Sequence, residues 1–129
     1  MTTARTVLVV DDDEATVMLI RRYLMNYGAS VLTATDGQEA LDVLYANSSD
    51  VGMLLMDIAM PGMNGFALAK AIRSEPGYDH VALVALTARS GLEFQRQAEE
   101  VGIKEIISKP FDPTMLRTFL EQRGLITPK

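Results

Sequence analysis

The chain of 129 residues contains no cysteine and a single histidine. Without cysteine there is no disulfide framework and no thiolate to act as nucleophile or metal ligand. The one histidine, His80, follows Asp79 in a stretch that reads as a loop, and it is expected to be exposed with no ligand role. Long apolar runs are also missing, since none approaches the ~20 residues that a membrane span requires. The first residues, Met-Thr-Thr-Ala-Arg-Thr, pass straight into a short apolar run without signal-peptide architecture. The cytoplasm is therefore the expected location. Positive charge is in deficit: 12 Lys and Arg stand against 17 Asp and Glu, a formal net charge of -5. Such a surface repels phosphate backbones, which argues against direct nucleic-acid binding. There is no internal repeat, low-complexity segment or interdomain linker. What remains is an ordinary globular composition, 48% hydrophobic and 22% charged, long enough to bury one core.

Short apolar runs alternate with amphipathic stretches along the whole chain. Residues 6–10 are rich in β-branched side chains without polar alternation, as in a strand buried on both faces. Residues 14–27 carry Val17, Ile20 and Leu24 at helical spacing, and Gly28 ends them. Residues 30–35, 51–56, 81–86 and 105–108 read as four further strands. Between them lie helices at 38–46 after an Asp36-Gly37 turn, at 66–74 before Glu75-Pro76-Gly77, and at 92–101 before Gly102. Asp112-Pro113 combines a helix cap with proline at the first helical position, opening a last helix that buries Leu116, Phe119 and Leu120. Strict alternation of five strands and five helices predicts an α/β fold: a flavodoxin-like, doubly wound parallel sheet with strand order 2-1-3-4-5. The chain reads as one domain, 1–129, with a core of about 6–122.

In such a sheet, ligands bind beyond the carboxyl ends of the strands. The first strand ends in Asp11-Asp12-Asp13-Glu14, the third in Asp57, the fourth in Thr87-Ala88 and the fifth in Ser108-Lys109-Pro110. Carboxylates crowded from two strands either shift their pKa values or bind a cation. Oxygen-only donors suit a hard cation such as Mg²⁺. A cation, a lysine and a hydroxyl together supply what a transferring phosphoryl group needs, and a carboxylate can be its nucleophile. Each residue alone has a plainer reading. The acids before a helix would cap it, Asp57 would cap a turn, Thr87 would be structural and Lys109 a solvated charge. Their coincidence at one sheet edge favours a site. Eight methionines fill core and loop contacts, with Met60 and Met63 bordering that edge.

The segments Val-Leu-Val-Val-Asp-Asp-Asp, Leu-Leu-Met-Asp-Ile-Ala-Met-Pro-Gly-Met-Asn-Gly, Ala-Leu-Thr-Ala and Ser-Lys-Pro-Phe resemble the receiver domain of two-component response regulators. The likeness runs from about Thr6 to Gln122, with the motifs in the family's order and spacing. It implies Asp57 as phosphoacceptor, with Mg²⁺ held by Asp12 and Asp57, by the Ala59 carbonyl, and by Asp11 mainly through water. It further implies that Thr87 bonds a phosphoryl oxygen and that Lys109 pairs with the phosphoryl group or, before phosphorylation, with Asp57. A cis bond before Pro110 would aim Lys109 inward. Asp13 is preferred as the cap of the first helix.

Two positions depart from the family pattern. Ile106 stands three residues before the lysine, where the family often has Tyr or Phe, so output is expected to rest on the loop after Thr87 or on Phe111. Ala59 offers no side-chain hydrogen bond to the hydrolytic water, and together with Arg89 it is expected to set the phosphate lifetime. The resemblance implies a histidine kinase or histidine phosphotransfer protein as donor and a downstream protein as target. The monomer or a weak dimer is expected, either as a stand-alone regulator or as part of a larger protein. Two other classes remain open: a haloacid-dehalogenase-type Mg²⁺-dependent phosphatase using Asp11-Asp12-Asp13, and a degenerate receiver that only binds partners. A flavodoxin-like cofactor binder is disfavoured, because acids rather than a glycine-rich loop follow the first strand.

Overall fold

Apolar side chains alternate between two faces of a parallel sheet, and helices cover both. The computed structural model describes residues 5–60, 62–88, 91–103, 105–109 and 112–126. In chain order these form β1 (Thr6–Val10), α1 (Glu14–Asn26), β2 (Ser30–Ala34), α2 (Gly37–Ala46), β3 (Val51–Asp57), α3 (Gly65–Ser74), β4 (Ala82–Thr87), α4 (Leu92–Glu100), β5 (Glu105–Ser108) and α5 (Pro113–Gln122). The strands pair in the order β2-β1-β3-β4-β5, all parallel, as the sequence pattern predicts.

Period-two alternation divides the core. Leu8, Val10, Leu54, Met56, Leu83 and Ala85 pack with Leu41 and Leu44 of α2, Leu68 and Ile72 of α3, and Phe94 of α4. Val7, Val9, Leu55, Val84, Leu86 and Ile107 face the other way, onto Ile20 and Leu24 of α1 and Leu116 and Leu120 of α5. Both faces of the central strands are thereby removed from water, which is why these strands read as unbroken apolar runs. Phe119 is half-buried against the second cluster rather than fully inside it. Among the described residues no helix is long and apolar enough to cross a membrane.

Parallel register brings four strand ends to one edge. Val10 pairs with Ala34 and Met56, Asp57 with Leu86, and Thr87 with Ser108. Some boundaries differ from the sequence reading in a way that matters for this edge. The third and fourth strands run one residue further than the 51–56 and 81–86 read from sequence, so Asp57 and Thr87 lie within the ladder. Asp36-Gly37 is a helix start instead of a free turn: the Asp36 carboxylate accepts from the Glu39 N–H at 2.7 Å, and Gly37 opens α2. The same dipeptide serves both roles, since an extended aspartate can cap a helix as readily as a turn.

Candidate functional site

Asp11 follows β1 directly, and its N–H donates to the Ala34 carbonyl at 3.2 Å, prolonging the β1–β2 ladder by one bond. The residue is only 2% exposed. One carboxylate oxygen, Oδ1, accepts from the Asp13 N–H at 2.9 Å, and Oδ2 accepts from Lys109 Nζ at 3.2 Å. Burial raises the Asp11 pKa and the nearby Asp57 charge adds to this, while the Asp13 N–H and the Lys109 ammonium oppose it. Asp12 is exposed beside it. Asp13 has a different task. It caps α1, accepting from the Ala15 N–H at 3.3 Å and from the Thr16 hydroxyl at 2.6 Å, and that hydroxyl bond is the leading cause of its lowered pKa.

Asp57 ends β3 and is also buried. Its Oδ1 accepts from the Ala59 N–H at 3.2 Å, and its Oδ2 stands 3.6 Å from Lys109 Nζ. Lys109 is delivered by β5, whose pairing with β4 lets the Lys109 N–H donate to the Thr87 carbonyl at 2.8 Å. Its ammonium thus lies between the carboxylates of Asp11 and Asp57, residues far apart in the chain. Thr87, at the adjacent strand end, is 2% exposed.

Carboxylate oxygens of Asp11, Asp12 and Asp57 all lie within 4.8 Å of one another. Three carboxylates gather here and Lys109 pairs with two of them, which leaves an excess of negative charge at the site. An all-oxygen set of this kind, without imidazole or thiolate, fits a hard divalent cation such as Mg²⁺. The edge therefore offers a buried carboxylate in Asp57, an ammonium in Lys109, a hydroxyl in Thr87 and a carboxylate cluster that could hold a metal. Those are the parts of a phosphoryl-transfer site.

The family model for the response regulator receiver domain matches residues 7–121. The chain belongs to this family. It is 37% identical over 115 residues to the chemotaxis protein CheY homolog of Campylobacter jejuni, covering 88% of each chain. To the response regulator PleD of Caulobacter vibrioides it is 36% identical over 110 residues, 85% of this chain but 24% of that protein. The receiver thus spans about a quarter of PleD's length. Among solved structures, chemotaxis protein CheY4 of Vibrio cholerae superposes with a TM-score of 0.85 at 30% identity, covering 93% of this chain and 98% of that one. The resemblance, the strand order and the signalling class expected from sequence all hold.

The structure brings together Asp11, Asp12, Asp57, Ala59, Thr87 and Lys109 at the edge where sequence put them. Lys109 pairs with Asp57 as expected and also, more closely, with Asp11, and the Ala59 N–H adds a contact to Asp57 that the sequence did not suggest. Gly65 escaped the sequence reading as a contributor. A Cβ there would lie 2.8 Å from the Asp57 carbonyl oxygen, so its bare backbone lets α3 start against the backbone of Asp57. The Asn-Gly in the motif was the available signal. Ile106 is half-buried against the α2–α3–α4 side of the core. Arg89, Pro110 and Phe111, invoked above for lifetime, lysine aim and output, lie outside the described residues.

Proposed function

We propose that Asp57 is the phosphoacceptor of this receiver and that a partner's phosphohistidine, or acetyl phosphate, is its donor. The observation that carries the assignment is the Lys109 ammonium held between Asp11 and Asp57, beside three mutually close carboxylates. A carboxylate oxygen of Asp57 attacks phosphorus in line with the leaving group. The new P–O bond forms as the P–N bond of phosphohistidine breaks, and the bonding pair leaves on the imidazole. Lys109 then re-pairs with the phosphoryl oxygens, and the Thr87 hydroxyl donates to another. Asp11, Asp12 and Asp57 with the Ala59 carbonyl would hold Mg²⁺, which when bound supplies positive charge against the phosphoryl oxygens. Ala59 fixes the Asp57 carboxylate through its N–H, leaving Oδ2 on the lysine side.

The added charge interacts differently with two arrangements of the α4–β5–α5 face and so shifts their balance, changing affinity for a downstream protein. We read residues 1–129 as a single receiver domain, monomeric or weakly dimeric, working in the cytoplasm on its own modification rather than on a turnover substrate. Family membership sets aside the phosphatase alternative, which would need Asp11 as nucleophile. Both Asp11 oxygens already accept hydrogen bonds. Trapping the acyl phosphate with borohydride and mapping the reduced residue tests the assignment. Reduction at Asp57 is expected; reduction at Asp11 would overturn it.

A further inference from the structure

We propose that Gly37, at the start of α2, is a positioning residue for phosphoryl transfer, acting through Met63 on the loop that follows Asp57. The inference rests on the reading of Asp57 as acceptor. Gly37 is buried, and a Cβ built on it would stand 2.8 Å from Met63 Cβ, 2.8 Å from its Sδ and 2.9 Å from its Cγ. A methionine tip can swing aside, but its Cβ moves only with the backbone that carries it. That backbone belongs to residues 58–64, whose ends are tied down. Met60 and Gly65 both donate to the Ile58 carbonyl, at 3.1 and 3.0 Å, and Gly65 abuts the Asp57 carbonyl. Ala59, which orients the Asp57 carboxylate, lies in the same loop. The Met63 side chain is therefore seated against α2 in a notch that exists because residue 37 has no side chain.

Gly37 has ordinary negative-φ backbone, so alanine is conformationally tolerated there and favours the helix. The alanine methyl is instead felt at the loop. A misplacement of about 1 Å at a reacting group costs about a hundredfold in rate, and a smaller shift relayed through the loop costs correspondingly less.

The test compares wild type, Gly37→Ala, Met63→Ala and the double variant. Acetyl phosphate with Mg²⁺ gives the rate of phosphorylation, and amide chemical shifts titrated with Mg²⁺ alone give metal affinity. Gly37→Ala is expected to lower the rate about tenfold, to weaken Mg²⁺ binding, and to move the amides of Ala59 and Met60 while those of β1 and β5 stay put. Met63→Ala removes two of the three opposing atoms, so the double variant should recover part of both losses. Strictly additive losses in the double variant, or wild-type rate and Mg²⁺ affinity in a folded Gly37→Ala, overturn the role of the notch. A wild-type chain that takes no phosphate overturns the reading of Asp57 itself, and this role with it. Should Gly37→Ala not fold, Gly37→Ala is compared in the Met63→Gly background, where none of the three opposing atoms remains. A folded double variant with the rate of Met63→Gly alone is expected, and a double variant that is slower or unfolded overturns the notch.

Discussion

Two cations, Lys109 and Arg73, sit at opposite edges of the same sheet. Lys109 faces two carboxylates, at 3.2 and 3.6 Å, in a site where like charges crowd. Arg73, in the last turn of α3, spreads its guanidinium over backbone carbonyls: Tyr78 at 2.9 Å, Val81 at 2.8 Å and Gly102 at 3.4 Å. It ties the approach to β4 to the turn after α4, and Gly102 makes room for it, since a Cβ there would stand 2.7 Å from Arg73 Nε. Neutral carbonyls matched to a rigid fork are a finished arrangement, and a new ligand gains nothing there. Crowded carboxylates sharing one flexible lysine are unfinished, and an incoming cation or phosphoryl group improves them. The chemistry of the partners, more than the presence of a buried charge, separates site from scaffold.

Removing each cation breaks this contrast in a different observable. Lys109→Ala is expected to slow phosphorylation by acetyl phosphate about a hundredfold, the scale for losing one charge-stabilising donor, with an unchanged far-ultraviolet dichroism spectrum. Arg73→Ala should do the reverse. Its half-buried carbonyls lose a charged donor, at about 2 kcal/mol of stability in urea, while the phosphorylation rate of the folded protein stays at the wild-type value. A slow-phosphorylating but fully stable Arg73→Ala would erase the distinction.

The smallest effect concerns Asp11 and pH. Burial raises its folded pKa above the ordinary 3.8, so the folded chain holds this proton more tightly than the unfolded one. Stability is therefore lost as pH rises from that value through the folded pKa, and the loss persists above it. Asp11→Asn keeps the Oδ1 acceptor for the Asp13 N–H and has no such loss. In chelator-containing buffer the variant should match wild type in acid and exceed it at neutral pH. Urea midpoints measured across that range check this, and a variant less stable than wild type at neutral pH would contradict it.

Most of the fold was legible because each strand is buried on both faces and each helix carries its apolar residues on one side. Val7 to Val10 show no alternation, and both of their faces are in fact covered. The acids were legible as a site because parallel register brings strand ends together. Finer features were not. Asp36-Gly37 caps α2 rather than making a free turn because the chain after it continues as a helix, and a dipeptide signal shared by turns and caps does not tell the two apart. Which carboxylate Lys109 approaches more closely depends on side-chain packing across 98 residues of chain, and no local pattern encodes it. Ile106 showed in sequence as a departure from an aromatic position; its half-buried place against the α2–α3–α4 side required the packed structure.

Phosphate on one residue, Asp57, is what should complete the unfinished edge. Intact mass spectrometry after incubation with acetyl phosphate decides this, comparing wild type with Asp57→Ala, each with Mg²⁺ and with chelator. Wild type should gain the mass of one phosphoryl group with Mg²⁺ and lose that gain with chelator, and Asp57→Ala should gain nothing in either condition. An equal gain in Asp57→Ala would contradict the account.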